Sequence, residues 1–318
     1  MLLNEFLGIK YPFMQGGMAQ IATGRFAAAI SNAGGLGIIG CGGKNCEQVQ
    51  AEIETLRSLT DKPFGVNVML MAEDVDELAN MLVGENVQVI TTGAGSPDKY
   101  IEIWKAAGSK VFPVVPSVAL AKRMEKYGAD AVIAEGTESG GHVGELTTMA
   151  LVPQVVEAVK IPVIAAGGVA SGQQLCAAFA LGAFGAQLGT ALVVSEECPV
   201  HDNYKQALLK AKDTGTTVTG RSLGAPVRLL KNKMTRAYLQ LEEEFANTEE
   251  GDRATKTQAM EKLTLGSLRK AVFDGDADNG SMMAGQVAGA LKRIEPVADI
   301  FARIMDEYRS AREGLPVL

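Results

Sequence analysis

The chain has 318 residues, of which 47% are hydrophobic and 5% aromatic, and its net charge is -7 at pH 7. This length and apolar content allow a large buried core, as one large α/β domain or as two smaller domains. The acidic balance argues against a general nucleic-acid-binding protein, which would carry a basic surface. No apolar run reaches the roughly 18 residues of a membrane span, and the first ten residues lack the pattern of a signal peptide.

The cysteines give no sign of a metal site or a disulfide framework. The chain has four cysteines and two histidines, and none of the cysteines forms a CxxC pair. Histidine is too scarce for a common zinc site. We therefore expect free thiols in a reducing cytoplasm at Cys41, Cys46, Cys176 and Cys198.

Short apolar runs alternate with amphipathic segments over the first 200 residues. The runs are rich in Val and Ile and end in Gly, Ser, Thr or Asn, which is typical of strands followed by helices. The eight predicted strands begin at Tyr11, Gly35, Pro63, Val87, Lys110, Ala129, Ile161 and Phe184. The predicted helices between them cover residues 21–32, 46–58, 75–83, 98–107, 118–127, 149–159 and 172–181.

Eight strand–helix units predict a closed TIM (β/α)8 barrel over residues 1–200, with its site at the carboxyl ends of the strands. A doubly wound open sheet is the alternative, but it usually has fewer strands and one phosphate fingerprint after the first. Residues 201–318 are more charged and are predicted to form a helical extension that covers the barrel mouth. This extension can also contain the last barrel helix. Residues 246–258 are predicted to be an exposed connector.

Two glycine-containing segments on successive strands form a candidate phosphate site. IPVIAAGGVASG ends a strand with Gly167 and Gly168, and AQLGTAL ends the next strand with Gly189 and Thr190. In TIM barrels, backbone amides in the loops after strands seven and eight bind phosphate. Packing at tight turns is the alternative role of these glycines.

Candidate ligand-contacting residues also lie after the first strand and within the third strand. Gly17 permits close approach of a ligand, and Met18 offers an adaptable apolar surface. Asn67 stands within an otherwise apolar strand and needs hydrogen-bond partners there. A heterocycle with carbonyl and ring N–H groups, such as an isoalloxazine, would supply them, and neighbouring backbone is the alternative.

The two histidines have different surroundings. His142 follows the sixth strand in EGTESGGHVGEL, where Gly140 and Gly141 allow the loop to fold inward over the barrel mouth. An imidazole there can donate or accept a proton near neutral pH, although a surface histidine on a mobile loop is the alternative. His201 precedes a polar helix start, which favours a surface role.

These segments resemble a known family of flavoenzymes. PFMQGGM, KPFGVNVML, TTGAGSP, the stretch from PVVPSVALAKRMEKYGADAVIAEG to TESGGHVGELTTMALV, IPVIAAGGVASG, GAQLGTALVV and the tail DGDADNGSMMAGQVAG carry the likeness. They resemble the FMN-dependent enoyl-acyl-carrier-protein reductases of type II (FabK), which are relatives of the nitronate monooxygenases. The resemblance covers nearly the whole chain.

The resemblance implies a cytoplasmic, homodimeric TIM-barrel oxidoreductase of fatty acid biosynthesis. NADH or NADPH would reduce FMN, and the substrate would be a trans-2-enoyl thioester on acyl carrier protein. A monovalent cation is implied as an activator, with no ligands assigned. His142 is implied as the catalytic residue. The implied cofactor-binding residues are Gly17, Met18, Asn67, Glu135, Gly136, Gly141, Gly167, Gly168, Gln187, Gly189, Thr190, Ser281, Met283 and Gly285.

Two other functions remain open from the sequence. Nitronate oxidation would use the same fold and flavin with O₂ as oxidant. A non-catalytic flavin- or phosphate-binding protein would need no proton-transfer group, so His142 weighs against it.

A basic segment of this acidic chain is a further candidate feature. It is either a docking surface for acyl carrier protein or an ordinary solvated helix face. Its cations are Arg228, Lys231, Lys233 and Arg236.

Overall fold

A closed barrel of eight parallel strands forms the centre of the protein in this computed structural model, which describes residues 1–247 and 253–316. The eleven strands of the described residues, in chain order, are β1 (Phe13–Gln15), β2 (Gly37–Gly40), β3 (Phe64–Met69), β4 (Val89–Gly93), β5 (Lys110–Val115), β6 (Val132–Glu135), β7 (Gly141–His142), β8 (Val163–Ala166), β9 (Gly185–Leu188), β10 (Thr216–Thr219) and β11 (Val227–Leu230). The order around the barrel is β1-β9-β8-β6-β5-β4-β3-β2, so the predicted TIM barrel is confirmed.

The seam between β1 and β2 closes the barrel. Met14 and Leu36 form a parallel bridge there. Next to this bridge, the side-chain oxygen of Gln15 accepts a hydrogen bond from the Ile38 amide at 3.0 Å. A side chain therefore continues the hydrogen bonding where the two short strands offer little backbone pairing.

Helices surround the barrel, and they begin where the sequence provides caps. Thr23 Oγ1 accepts from the Phe26 amide at 3.3 Å, so the second helix begins at Gly24 rather than at residue 21. The helices of the barrel region are α1 (Leu3–Leu7), α2 (Gly24–Ala33), α3 (Cys46–Leu59), α4 (Val75–Gly84), α5 (Asp98–Ala106), α6 (Val118–Lys126), α7 (Thr148–Ala158), α8 (Gly172–Ala180) and α9 (Thr190–Val193).

The inside of the barrel is an apolar core. Its strands alternate inward and outward residues, and both faces are buried because helices cover the outside. Helix α1 closes the amino-terminal end, where the Leu3 amide donates to the Phe184 carbonyl at 2.9 Å. The other end carries the loops that form the candidate site. The buried inward residues include Met14, Leu36, Ile38, Val89, Phe112, Ile133 and Ile164.

The extension begins after the last barrel strand and returns to the barrel at its end. Its helices are α10 (Asp202–Leu209), α11 (Lys233–Ala246), α12 (Arg253–Thr264), α13 (Ser267–Arg269) and α14 (Val297–Glu313), with a π-helical turn at Lys270–Asp274 and a 3₁₀ turn at Gln286–Ala290. Helix α14 packs against both α8 and α2, which places it in the outer ring of the barrel. The division into residues 1–200 and 201–318 stays a prediction.

The extension is mostly helical, as predicted, but it also contains two short strands. Strands β10 and β11 pair antiparallel with each other, and β11 pairs with β7, so the extension is tied to the loop after β6. The β-branched run TTVT favours a strand over a helix. In the predicted connector, residues 248–252 lie outside the described residues, whereas the part from Arg253 onward is helical.

Two further properties concern the whole described chain. None of its helices is both long enough and apolar enough to cross a membrane. The four cysteines are unpaired, with Cys41 and Cys198 buried and Cys46 and Cys176 partly buried.

Candidate active site

Polar side chains project from the barrel strands above the apolar core and form the floor of the mouth. Asn67 and Thr91 lie on neighbouring strands, and Thr91 Oγ1 donates to Asn67 Oδ1 at 2.8 Å. Across the barrel, Gln187 Nε2 lies 3.5 Å from Glu135 Oε2, which is the long limit of a hydrogen bond. The structure thus brings three residues predicted from the sequence onto one floor and adds Thr91, which the sequence did not single out.

Glu135 is the titratable group of this floor. Burial raises the pKa of its carboxyl to about 7, and the nearby Ser139 hydroxyl acts in the opposite direction. The carboxyl is therefore partly protonated near neutral pH and can then donate a hydrogen bond as well as accept one.

The loop after β1 packs directly on the floor. A Cβ atom at Gly17 would lie 2.2 Å from Cγ of Asn67, so only glycine fits at this position. Met18, the next residue, is half-buried beside the core that β1 and β9 share with the extension. The predicted neighbours Gly17, Met18 and Asn67 therefore lie together at the mouth.

The candidate phosphate site lies where the loops after β6, β8 and β9 converge. Gly167 and Gly168 both have positive φ, and a Cβ at Gly167 would lie 2.8 Å from the Gly136 carbonyl oxygen. Thr190 Oγ1 accepts from the Gly285 amide at 2.8 Å, which joins the loop after β9 to the extension.

Ser139 leaves a polar atom unsatisfied beside this convergence. Its Oγ is buried and lies beside the Glu135 carboxyl, without a hydrogen bond of normal geometry to any described residue. A buried hydroxyl without a partner is unusual and indicates a group that a ligand can satisfy. The Ser139 amide lies 3.2 Å from the position of a Cβ at Gly167, so the backbone of this residue lines the candidate phosphate site, while its hydroxyl lies beside the Glu135 carboxyl.

His142 lies in β7, at the edge of the mouth. It is exposed, and its imidazole makes no hydrogen bond within the part of the chain that the structure describes. Its backbone pairs with Val227 of β11. The imidazole is thus available to contact a ligand. The backbone of His142 is held in place by the pairing of β7 with β11 of the extension.

The glycines before His142 are explained by the extension crossing over them. A Cβ at Gly140 would lie 2.7 Å from the backbone of Ala284. Two other residues that the sequence predicted for the site, Met283 and Ser281, belong to the same segment of the extension as Ala284. Met283 forms a bridge with Leu229 of β11, and Ser281 Oγ lies 2.6 Å from Ser267 Oγ.

Two residues that the sequence did not assign to the site hold the His142 loop. Glu138 accepts hydrogen bonds from the Thr148 amide at 2.9 and 3.0 Å, at the start of α7, and its own carbonyl accepts from the Gln286 amide. Arg228 donates through Nε to the Thr137 carbonyl at 3.0 Å and is only 7% exposed. Burial lowers the pKa of Arg228.

This arrangement corrects the predicted basic docking surface. Arg228 is buried beneath the loop, and Lys233 forms an ion pair with Asp278 at 2.6 Å. Only Lys231 and Arg236 remain as exposed cations of that segment without an ion pair in the described residues.

A cavity of about 540 Å³ opens beside the phosphate end of the site, between α7, α8 and the 3₁₀ turn. It contains Gly167, Gly168 and Glu138 but does not reach Asn67 or His142. The part of the mouth beside the loop after β1 is instead narrow, because Gly17 lies against Asn67. The chemistry of the floor, rather than the size of this cavity, identifies the candidate site.

The remaining predictions concern His201 and metals. His201 lies at the start of α10, where its Nδ1 accepts from the Asn203 amide at 3.1 Å, so it caps a helix. No group of three or more His, Cys, Asp or Glu side chains able to hold a metal occurs among the described residues. The monovalent cation stays a prediction.

Comparison with known proteins places the chain in a family. Residues 1–307 match the nitronate monooxygenase family. The chain belongs to this family. Nitronate monooxygenase relatives include a probable nitronate monooxygenase of Staphylococcus aureus, which is 31% identical and aligns over 96% of each chain.

Solved structures that are similar to this chain carry different names. FabK from Thermotoga maritima is 45% identical, covers 98% of this chain and 96% of its own, and superimposes with a TM-score of 0.92. A nitroalkane oxidase from Streptomyces ansochromogenes is 30% identical over 99% of each chain, with a TM-score of 0.82. These activities are all oxidoreductions, and the chain is an oxidoreductase of this family.

Proposed function

We propose that the protein is an FMN-dependent enoyl-acyl-carrier-protein reductase. The observation that carries this proposal is the likeness to FabK from Thermotoga maritima over almost the whole of both chains. Its identity to this chain, 45%, is well above the 30–31% of the relatives named as a probable nitronate monooxygenase and a nitroalkane oxidase. The proposal includes acyl carrier protein as the carrier of the substrate, a homodimer as the assembly and the cytoplasm as the location.

The residues at the mouth fit FMN. The Ser139 amide and the glycine-containing loops after β8 and β9 suit a phosphate ester. The buried Ser139 hydroxyl beside Glu135 suits a polyhydroxyl chain. Asn67, Glu135 and Gln187 offer donors and acceptors to the edge of a heterocycle. When bound, FMN would supply the transfer of hydride from NADH or NADPH to the β-carbon of a trans-2-enoyl thioester.

The chain itself must manage the proton that the reduction requires. As hydride reaches the β-carbon, negative charge develops on the thioester oxygen, and the α-carbon must gain a proton. The His142 imidazole is the exposed, unbonded titratable group of the loop at the mouth. It either donates a hydrogen bond to that oxygen or supplies the proton, and both roles require the position that β7 and β11 fix.

Other residues orient the ligand and exclude water. The Asn67 amide is held by Thr91 on one side and by Gly17 on the other, so it meets a ligand in one orientation. Met18 and Met283 contribute apolar surface from opposite sides, the loop after β1 and the extension. Exclusion of water strengthens the interactions of His142 with developing charge.

The proposal is tested anaerobically with the purified yellow protein. NADH or NADPH should bleach the flavin rapidly, and crotonyl-thioester should restore its colour. His142→Ala should retain FMN and reduce turnover by roughly 10²–10⁴-fold, the range for loss of a positioned acid. His201→Asn is the matched control, because asparagine also caps a helix, and it should keep full activity. Full turnover by the His142 variant would refute the assigned role.

Nitronate oxidation is the second candidate function, since the family and the probable nitronate monooxygenases of Staphylococcus aureus carry that name. The same barrel and the same histidine would serve it, with His142 as base or anion partner and O₂ as oxidant. Negligible flavin reduction by NADH and NADPH, together with rapid consumption of alkyl nitronates in air, would favour this function over the reductase.

A further inference from the structure

One short helix of the extension carries two buried polar side chains that reach in different directions. Helix α10 contributes Tyr204 and Lys205, and both are buried. Neither residue was predicted for the site from the sequence, and neither has a role in the reaction described above. Lys205 Nζ donates to the Ser195 carbonyl at 2.8 Å, just after α9, so α10 is held against the barrel.

Tyr204 reaches from α10 to the segment of the extension that crosses the His142 loop. Its hydroxyl donates to the Met283 carbonyl at 2.7 Å, across 79 positions of the chain. Burial raises the pKa of Tyr204, so the hydroxyl keeps its proton far above neutral pH and remains a donor. The ring lies in the apolar cluster that β1 and β9 share with the extension, where a phenylalanine would pack equally well. The hydroxyl, and not the ring, therefore connects α10 to the site.

The Met283 carbonyl is not used by the pairing of the extension with β11. Met283 forms a bridge with Leu229 through a hydrogen bond of the neighbouring residues, in which the Leu230 amide donates to the Met282 carbonyl at 2.8 Å. The Met283 carbonyl accepts from Tyr204 instead. Loss of the donor to a partly buried carbonyl costs free energy. Without the hydroxyl, the segment would shift or admit water to this carbonyl.

The Met283 side chain connects this hydrogen bond to the reacting histidine. A Cβ at Gly141 would lie 3.5 Å from Met283 Sδ, so the thioether lies against the residue that precedes His142. A methionine side chain is flexible and takes its position from its surroundings. The place of the thioether beside His142 therefore follows the backbone that Tyr204 holds.

We propose that Tyr204 is a positioning residue of the reaction, whose hydroxyl holds Met283 against the His142 loop and thereby fixes the approach of the imidazole to the thioester. The inference rests on the proposed reductase function. His142 is assigned to the half of the reaction in which the thioester is reduced, whereas the half in which NADH or NADPH is oxidised does not use it. Tyr204 should therefore matter for the reduction of the thioester alone.

The test separates the two half-reactions of Tyr204→Phe under anaerobic conditions. Reduction of the bound FMN by NADH or NADPH should keep the rate of the unmodified enzyme. Reoxidation by crotonyl-thioester should slow about tenfold, because the lost hydrogen bond corresponds to about a factor of ten. Equal slowing of both half-reactions would overturn the inference, since it would indicate a general structural role.

Tyr100→Phe is the matched control, because it also removes a hydrogen bond made by the hydroxyl of a buried tyrosine. Tyr100 lies on α5 in the outer ring of helices, and its hydroxyl donates to Asp76 Oδ1 at 2.5 Å. Both half-reactions of this variant should keep the rates of the unmodified enzyme.

A double substitution tests whether Tyr204 acts through Met283. Met283→Ala removes the thioether that the hydroxyl positions. Adding Tyr204→Phe to Met283→Ala should therefore slow reoxidation by less than about twofold further, since residues that act through one another are not additive. Independent effects that multiply would overturn the inference, because Tyr204 would then act by another route.

Hydrogen exchange of the FMN-loaded protein, followed by mass spectrometry, gives a readout without turnover. In Tyr204→Phe, the Leu230 amide that pairs with Met282 should exchange about tenfold faster, while the amides of the barrel strands keep their protection. Unchanged exchange at Leu230 would show that Tyr204 does not hold this segment, and the inference would fall.

Failure of this inference differs from failure of the proposed function. If crotonyl-thioester does not reoxidise the reduced, unmodified protein, the reductase function is wrong, and the exchange measurement still decides whether Tyr204 holds the segment. If it does, and Tyr204→Phe is reoxidised at the same rate, the reductase function stands and the role of Tyr204 is wrong.

Discussion

The two sides of the barrel mouth are held in place by different means. On one side, Asn67 stands within a barrel strand, is bonded to Thr91 on the next strand and is covered by Gly17. On the other side, His142 lies outside the barrel in a two-residue strand that pairs with β11 of the extension. The first side depends only on barrel geometry, whereas the second depends on residues far along the chain.

Because of this difference, we expect the Asn67 side to serve ligand binding and the His142 side to serve the reaction. The Asn67 side can be formed by the barrel alone, and it suits a ligand that stays bound. The His142 side is completed by Glu138, Arg228 and the segment around Ala284, so its geometry follows the extension. Changes on the first side should therefore affect flavin retention, and changes on the second should affect turnover.

The largest expected effect is that of Gly140→Ala. The new Cβ would lie 2.7–2.8 Å from the backbone of Ala284, so the extension must move away from β7. Because displacement of a reacting group by about 1 Å can cost a hundredfold, kcat/KM for crotonyl-thioester should fall roughly a hundredfold while FMN is retained. Gly84→Ala, where nothing lies within 4 Å of the new atom, is the control. Loss of flavin in parallel with activity would contradict the separation.

The opposite pattern is expected for Gly17→Ala. Its Cβ would lie 2.2–2.5 Å from Asn67, which must leave its position. Overpacking of this kind costs about 1–3 kcal/mol, and the cost should appear as weaker FMN binding, measured by fluorescence titration of the flavin-free protein. The neighbouring Gly16→Ala is the control, since its new atom would stay 3.6 Å from Gln187. Unchanged FMN affinity in the Gly17 variant would show that Asn67 does not contact the flavin.

Glu135 should give the floor a pH-dependent stability. Its folded pKa of about 7 lies above the ordinary 4.5, so the folded protein keeps a proton that the unfolded chain releases between these values. The Glu135 carboxyl therefore does not lower the free energy of unfolding below about pH 4.5. It lowers this free energy increasingly as the pH rises, and the full effect is reached above about pH 7. Replacing Glu135 by Gln removes this titration. Because Glu135 is only partly buried, we expect the free energy of unfolding of Glu135→Gln, relative to that of the unmodified protein, to be higher at pH 8 than at pH 5 by on the order of 1 kcal/mol.

Urea unfolding at the two pH values measures this difference. Glu157→Gln, a change at an exposed carboxylate of α7, serves as the control and should show no such gain. A gain for Glu135→Gln that is the same at pH 5 and pH 8 would show that packing, and not the proton, is responsible.

The smallest effect is expected at the exposed cations of the extension. Reversing charge at Lys231 and Arg236 should raise KM for the enoyl-acyl carrier protein about threefold at low salt, since exposed charge pairs contribute about 0.2–1 kcal/mol each. KM for crotonyl-thioester, which has no carrier protein, should not change. An equal change for both substrates would mean that these cations act on the active site rather than on docking.

The barrel could be predicted from the sequence because its signals are local. Each strand is an apolar run, each helix has its own periodicity, and the count of eight units limits the fold. The placement of Asn67 on an inward position also follows from strand alternation. Thr91 could have been found in the same way, because it stands on an inward position of the neighbouring strand.

The rest depended on contacts between distant residues. The pairing of Gly141–His142 with Val227–Leu230 involves two residues of one strand, and its partner lies more than 80 positions away. Arg228 looked like a surface cation because the sequence does not show that Thr137 and Thr216 would receive it. The run TTVTG, with four consecutive β-branched residues, was the signal that could have revealed the small sheet.

The position of α14 has a consequence for synthesis of the protein. The helix that fills the ring between α8 and α2 is made only after the whole extension has been translated. Until then, the surfaces of α2 and α8 that it covers stay open to solvent, and the outer ring of helices around the barrel is incomplete. The extension and barrel therefore mature as one unit, and His142, which pairs with β11 of the extension, reaches its final setting late in that process.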